Sequence, residues 1–141
     1  MFRRILVAYD GSQHAKRALD VAIDLAKKYG AELHVVEVVD TATLLGLSMG
    51  PVPPDVVDSI REKAKADLAD AKSRAEAQGV RAETAMLEGD PAGTIIDYAE
   101  RIGADLIVTG SRGLSTVKRL FLGSVSTGVV THAKKPVLVV K

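Results

Sequence analysis

The sequence predicts an α/β fold: a doubly wound, five-stranded parallel sheet with helices on both faces, in one domain. Three observations predict it. Short apolar runs alternate with stretches of helical period along the whole chain, the pattern of a parallel sheet joined by right-handed crossovers. Asp-Gly-Ser and a glycine-rich loop directly follow the first and fourth apolar runs, the strand ends where such sheets open a ligand crevice. The chain has 141 residues, 47% hydrophobic and 26% charged, which suits one globular unit burying roughly 68–70% of its unfolded surface.

The first strand is read over Arg4–Tyr9, an apolar run closed by Asp10-Gly11-Ser12. The Ser12 hydroxyl is placed to cap the helix that follows. That helix runs to about Tyr29, with Ala15, Leu19, Ala22, Ile23 and Ala26 on one face. Gly30 then stands where a left-handed residue ends a helix. Leu33–Val39 is a valine-rich second strand. Thr41–Pro54, with two glycines and three prolines, reads as a long loop or lid. Its Leu44, Leu45, Leu47 and Met49 pack on a ligand, a partner subunit or its own domain.

Pro54–Gln78 is a long charged helix with Val57, Ile60, Ala64, Leu68, Ala71 and Ala75 on its buried face. Asp70 precedes Arg74 in the favourable order for a helical ion pair, and the charged surface reads as a solvated face. The third strand, Val80–Leu87, is more polar and so belongs near a sheet edge. Asp90 and Pro91 form a helix start. Ile95, Ile96, Ala99 and Ile102 give that helix its buried side. Leu106–Thr109 is the fourth strand, Ser124–His132 the last helix and Pro136–Val140 the fifth strand.

Composition narrows the function. The chain has no cysteine, which excludes disulfides, thiol catalysis and cysteine-based zinc sites. Nothing at the N-terminus reads as a signal peptide, and no run reaches the ~20 apolar residues of a membrane span. A cytoplasmic protein without a membrane partner is expected. A net charge of +1 and 4% aromatic content argue against nucleic-acid binding. His14, His34 and His132 are scattered without metal-ligand spacing.

The informative stretch is Gly110–Ser124, GSRGLSTVKRLFLGS, with its glycines at Gly-x2-Gly-x9-Gly-Ser. A strand, a glycine loop and a helix start in succession present free backbone N–H groups to an anion. No acidic residue occurs from Leu106 onward, whereas Arg112, Lys118, Arg119, Lys134, Lys135 and Lys141 do. These are six of 19 basic residues, so residues 1–105 hold 13 basic and all 18 acidic ones. The basic tract is read as the end that holds phosphates. Asp10 either helps cap the first helix, accepts from a ribose hydroxyl, or holds Mg²⁺ through water.

Asp10-Gly11-Ser12, Gly89-Asp90-Pro91, the run Ala104–Gly113, Leu122-Gly-Ser-Val-Ser126 and Lys135-Pro-Val-Leu-Val-Val140 together resemble the universal stress protein family in its ATP-binding form. The resemblance covers the whole chain. It implies a Rossmann-like sheet of order 3-2-1-4-5, a homodimer through the last strand, and an adenine nucleotide in the crevice. It implies that Ala8, Tyr9 and Asp10 line the nucleotide and that Val38 contacts adenine. Thr109, Gly110, Gly113, Gly123, Ser124, Val125 and Ser126 would surround the ribose and phosphates, and Arg112 would either add a phosphate contact or point to solvent. Two positions depart from the family pattern: many members have His at Arg112 and a proline or similar small residue near Ala8. Independently, Val137–Val140 would form an apolar edge strand that invites a second copy.

The function expected is a nucleotide-dependent regulatory protein of the stress response, binding ATP with Mg²⁺ as a companion ion. A slow ATP hydrolase or phosphotransferase is the enzymatic alternative, and a binder of AMP or cyclic AMP the other. Binding is favoured over turnover because no G-x4-G-K-[ST] element and no evident general base accompany the loop. Other doubly wound folds fit less well. Strand three ends Met86-Leu87-Glu88, without a phospho-acceptor Asp. The loop after strand one has a single hydroxyl, and no G-x-G-x-x-G occurs.

Overall fold

The computed structural model describes residues 1–41, 52–112 and 122–141. Its elements follow in the order β1 (Arg4–Ala8), α1 (Gln13–Tyr29), β2 (Glu32–Val39), α2 (Pro54–Ala77), β3 (Ala82–Glu88), α3 (Pro91–Ile102), β4 (Leu106–Gly110), α4 (Ser124–His132) and β5 (Val137–Val140). The strands form one parallel sheet of order β3-β2-β1-β4-β5.

Strand alternation sorts the side chains into two cores. Ile5, Val7, Leu33, Val35 and Val108 face α1 and α2, where Leu19, Ala22, Leu68 and Ala71 cover them. Leu6, Val36 and Ile107 face α3 and α4, where Ile95, Ala99 and Val129 cover them. Leu6, Leu19, Leu33 and Ile107 are almost wholly buried, each stabilising the fold by about 1.5–3 kcal/mol relative to exposure. The many alanines on α1 and α2 let both helices lie close to the sheet.

The helix starts form as the sequence predicts. The Ser12 hydroxyl accepts from the Ala15 N–H and caps α1, and Asp90 accepts from the Gly93 N–H with Pro91 in the first turn of α3. Gly30 and Gly103 end those helices at φ 64° and 68°.

Three details differ from expectation. β3 begins at Ala82, because its only sheet neighbour among the described residues is β2 and pairing starts at Leu33↔Ala82. β5 begins after Pro136, which lacks an N–H but whose carbonyl accepts from Ile107 at 3.0 Å. Arg74 does not pair with Asp70. Its Nη2 reaches across to Asp20 of α1, at 2.8 and 2.9 Å from the two carboxylate oxygens.

Candidate functional site

The central strand β1 pairs with β2 on one side and β4 on the other, Ala8 opposite Val36 and Val7 opposite Val108. The chain reverses direction of winding here, so the loops after β1 and β4 diverge to opposite faces and leave a crevice at the carboxyl ends. A cavity of 430 Å³ occupies it, within the usual size for a small-molecule site.

The lining of the cavity is mixed. Ala8, Val36 and Val38 from the sheet and Pro91 and Ile95 from α3 are apolar. Asp10, Asp40, Thr109, Arg112, Ser124 and Ser126 are polar. Tyr9, Gly110, Gly123 and Val125 complete the positions singled out in the sequence that the structure brings together here. Gly113 lies outside the described residues, as do Lys118, Arg119 and positions 42–51 of the loop read over Thr41–Pro54.

Each polar group is fixed by local chemistry. Asp10 Oδ1 accepts from the Ser12 N–H at 2.9 Å, while capping of α1 falls to the Ser12 hydroxyl. Asp10 therefore shapes the turn, and its carboxylate stays on the cavity wall. The Ser126 hydroxyl donates to the Gly110 carbonyl, and the Gly123 N–H donates to the Ser111 carbonyl at 2.7 Å. These bonds hold the start of α4 against the end of β4. Gly123, at φ −65° and ψ 162°, gives α4 no side-chain cap. The first-turn N–H groups thus lack the hydroxyl or carboxylate that α1 and α3 supply to theirs, and they open beside the cavity with the positive end of the helix dipole.

Gly110 is required for a reason other than a turn. A Cβ there would lie 2.8 Å from the carbonyl carbon and the Cβ of His14, well inside van der Waals contact. The first turn of α1 consequently rests directly on β4. His14 Nδ1 and Ser111 Oγ lie 2.8 Å apart in a hydrogen bond. Burial first, then the charges of Arg112 and Arg17, holds the imidazole below the ordinary histidine range. His14 is thus tied into the wall of the crevice.

The described residues of the basic tract do not form one patch. Arg112 lines the cavity. Lys134 and Lys135 follow the C-terminus of α4, the opposite end of that helix from Gly123, and Lys135 Nζ stands 4.0 Å from Glu100. Sequence position alone suggested a shared role, but a nine-residue helix separates the two groups by about 13 Å. Conversely, Ala15, Val36, Asp40, Pro91 and Ile95 line the cavity without having been singled out. Val36 and Ile95 carry only a core signal in the sequence. Asp40 directly follows a strand whose end faces the crevice, and that position was a usable signal. Among the described residues, no cluster of three or more His, Asp or Glu could hold a metal by itself, and no helix is long and apolar enough to cross a membrane.

The universal stress protein family model matches residues 1–141. Universal stress protein YxiE of Bacillus subtilis is 42% identical over 150 residues, with all of both chains covered. Among solved structures, a universal stress protein in complex with cAMP superposes with a TM-score of 0.76 at 28% identity, covering 99% of this chain and 97% of that one. The universal stress protein of Archaeoglobus fulgidus in complex with dAMP gives 0.75 at 28% identity, covering 99% and 98%. With this fold and full-length matches on both sides, the chain belongs to the universal stress protein family.

Proposed function

We propose that this protein binds an adenine nucleotide, foremost ATP, and acts through occupancy of the site rather than through turnover. The observation that carries the reading is the mixed lining of the cavity. Val36, Val38 and Ile95 suit a base, and among the polar groups Asp10 stands with the uncapped start of α4. Backbone N–H groups and dipole together favour phosphate there. The relatives solved with cAMP and with dAMP support the adenine class. Asp10 would be the residue to hold a Mg²⁺ ion, through water and together with the phosphates, which it would help to neutralise. Arg112 and the α4 terminus supply charge neutralisation for phosphates, whereas hydrolysis also needs a positioned water.

Such a protein signals when the nucleotide prefers one conformation or assembly. The β5 edge is the assembly surface we favour, because Leu138 on it and Val130 on α4 are exposed. The test of the site is calorimetric titration with ATP, in the original protein and in Gly113→Ala and Gly123→Val. Affinity should drop in the variants, and unchanged affinity in both sinks the assignment. The relatives' ligands favour AMP-like molecules as a second reading. Competition of AMP and cyclic AMP against ATP ranks the three. Hydrolysis is promoted only if a slow turnover disappears in Arg112→Ala or Asp10→Ala.

A further inference from the structure

The turn that carries Asp10 into the cavity has a second side, and α2 covers it. Lys63 Nζ donates to Asp67 Oδ2 at 2.7 Å and stands 3.5 Å from the Asp10 carbonyl oxygen. Gly11 sits at φ +79°, and a Cβ there would lie 2.8 Å from Asp67 Oδ1 and 3.0 Å from Asp67 Cγ. The Asp67 carboxylate therefore lies directly against the turn. Asp67 is the less exposed member of the pair, its side chain 18% exposed against 55% for Lys63. Glu37 of β2, itself buried, completes the support beside Asp67. None of Lys63, Asp67 and Glu37 lines the cavity.

We propose that Lys63 and Asp67 are positioning residues, holding the Asp10–Gly11 turn from behind and so setting where Asp10 stands on the wall of the nucleotide cavity. The mechanical claim stands on the contacts above, while its consequence for affinity rests on the nucleotide reading. Two kinds of contact fix the turn in complementary ways. The ammonium holds the Asp10 carbonyl, and the carboxylate fills the space where any residue but glycine would put a Cβ. Removing either leaves the turn free to move away from the cavity. By reciprocity, a nucleotide that fixes Asp10 also tightens the seat of α2.

The sign of the effect separates positioning from plain electrostatics. Deleting a negative charge near a phosphate site should tighten anion binding if the field alone matters. Loss of positioning weakens it. The experiment measures ATP affinity by calorimetry and Ser12 amide exchange by NMR in ligand-free protein, for Asp67→Ala, the isosteric Asp67→Asn, Lys63→Met and Lys63→Arg. The Ser12 N–H reports the turn because it donates to Asp10 Oδ1. Lys72→Met, an exposed change on the same helix, is the control.

Expected are an affinity loss on the order of tenfold in Asp67→Ala and Lys63→Met, faster Ser12 exchange in both, recovery in Lys63→Arg and no change in Lys72→Met. Should Asp67→Ala fail to fold, Asp67→Asn gives the same two readouts. Tighter or unchanged ATP binding in the Asp67 variants, or unchanged Ser12 exchange, overturns the proposal. If the original protein binds no ATP, the nucleotide reading fails by itself, and the exchange measurement still decides the positioning claim.

Discussion

Glu37→Gln should make the protein less sensitive to alkali. Glu37 lies on the β2 face that α2 covers, 8% exposed, with no hydrogen-bond partner for Oε1 among the described residues. Burial, then the neighbouring Asp67 carboxylate, pushes its pKa from 4.5 up to about 9. Lys63 of α2 opposes the rise and Asp10 of the β1–α1 turn adds to it. The folded protein therefore keeps a proton that the unfolded chain releases above pH 4.5. The contribution of Glu37 to stability is full below that value, falls as pH rises toward about 9, and levels off above it. At 1.36 kcal/mol per unit, the loss between about pH 5 and pH 8 has a ceiling of about 4 kcal/mol. Glutamine keeps the shape and removes the titration. Urea unfolding of both proteins at the two pH values gives the double difference, in which the histidines cancel. The original protein should lose stability relative to Glu37→Gln on going to pH 8. Parallel pH profiles for the two would refute the reasoning.

Gly110→Ala should cost about 1–3 kcal/mol in urea unfolding, because the new methyl meets the His14 backbone at 2.8 Å and must push α1 from β4. Ser126→Ala should cost about 1 kcal/mol in the same assay, since it removes one of two hydroxyl donors to the buried Gly110 carbonyl and leaves that of Thr109 at 3.2 Å. Asp90→Ala removes the cap of α3 and should cost about 1 kcal/mol, without altering ATP affinity by calorimetry. Leu138→Lys puts a charge on the exposed β5 edge and should convert a dimer to a monomer by light scattering, whereas a native monomer at micromolar concentration contradicts the edge assembly.

The fold was legible because its signals are local and redundant. Ser12, Asp90 and Pro91 mark helix starts through groups that act within one turn. The apolar runs of β1 and β4 have the continuous burial of strands covered on both faces. The cavity was legible where its lining sits at the carboxyl ends of those strands, as Asp10 and Thr109 do. What stayed hidden depends on contacts between elements. The reach of Arg74 to Asp20, the rest of His14 on Gly110 and the contact of Asp67 with Gly11 join positions that no period connects. The described part of the basic tract divides for the same reason: Arg112 lines the cavity, while Lys134 and Lys135 follow the far end of α4.

The central claim is that an adenine nucleotide occupies the crevice between the ends of β1, β2 and β4. The most direct test is the amide spectrum of isotope-labelled protein titrated with ATP. The account predicts saturable shifts at Asp10, Val38, Gly110, Val125 and Ser126, which line the cavity, and none at Gly79 or Arg81 at the opposite end of the sheet. An unchanged spectrum, or shifts confined to that far end, would contradict it.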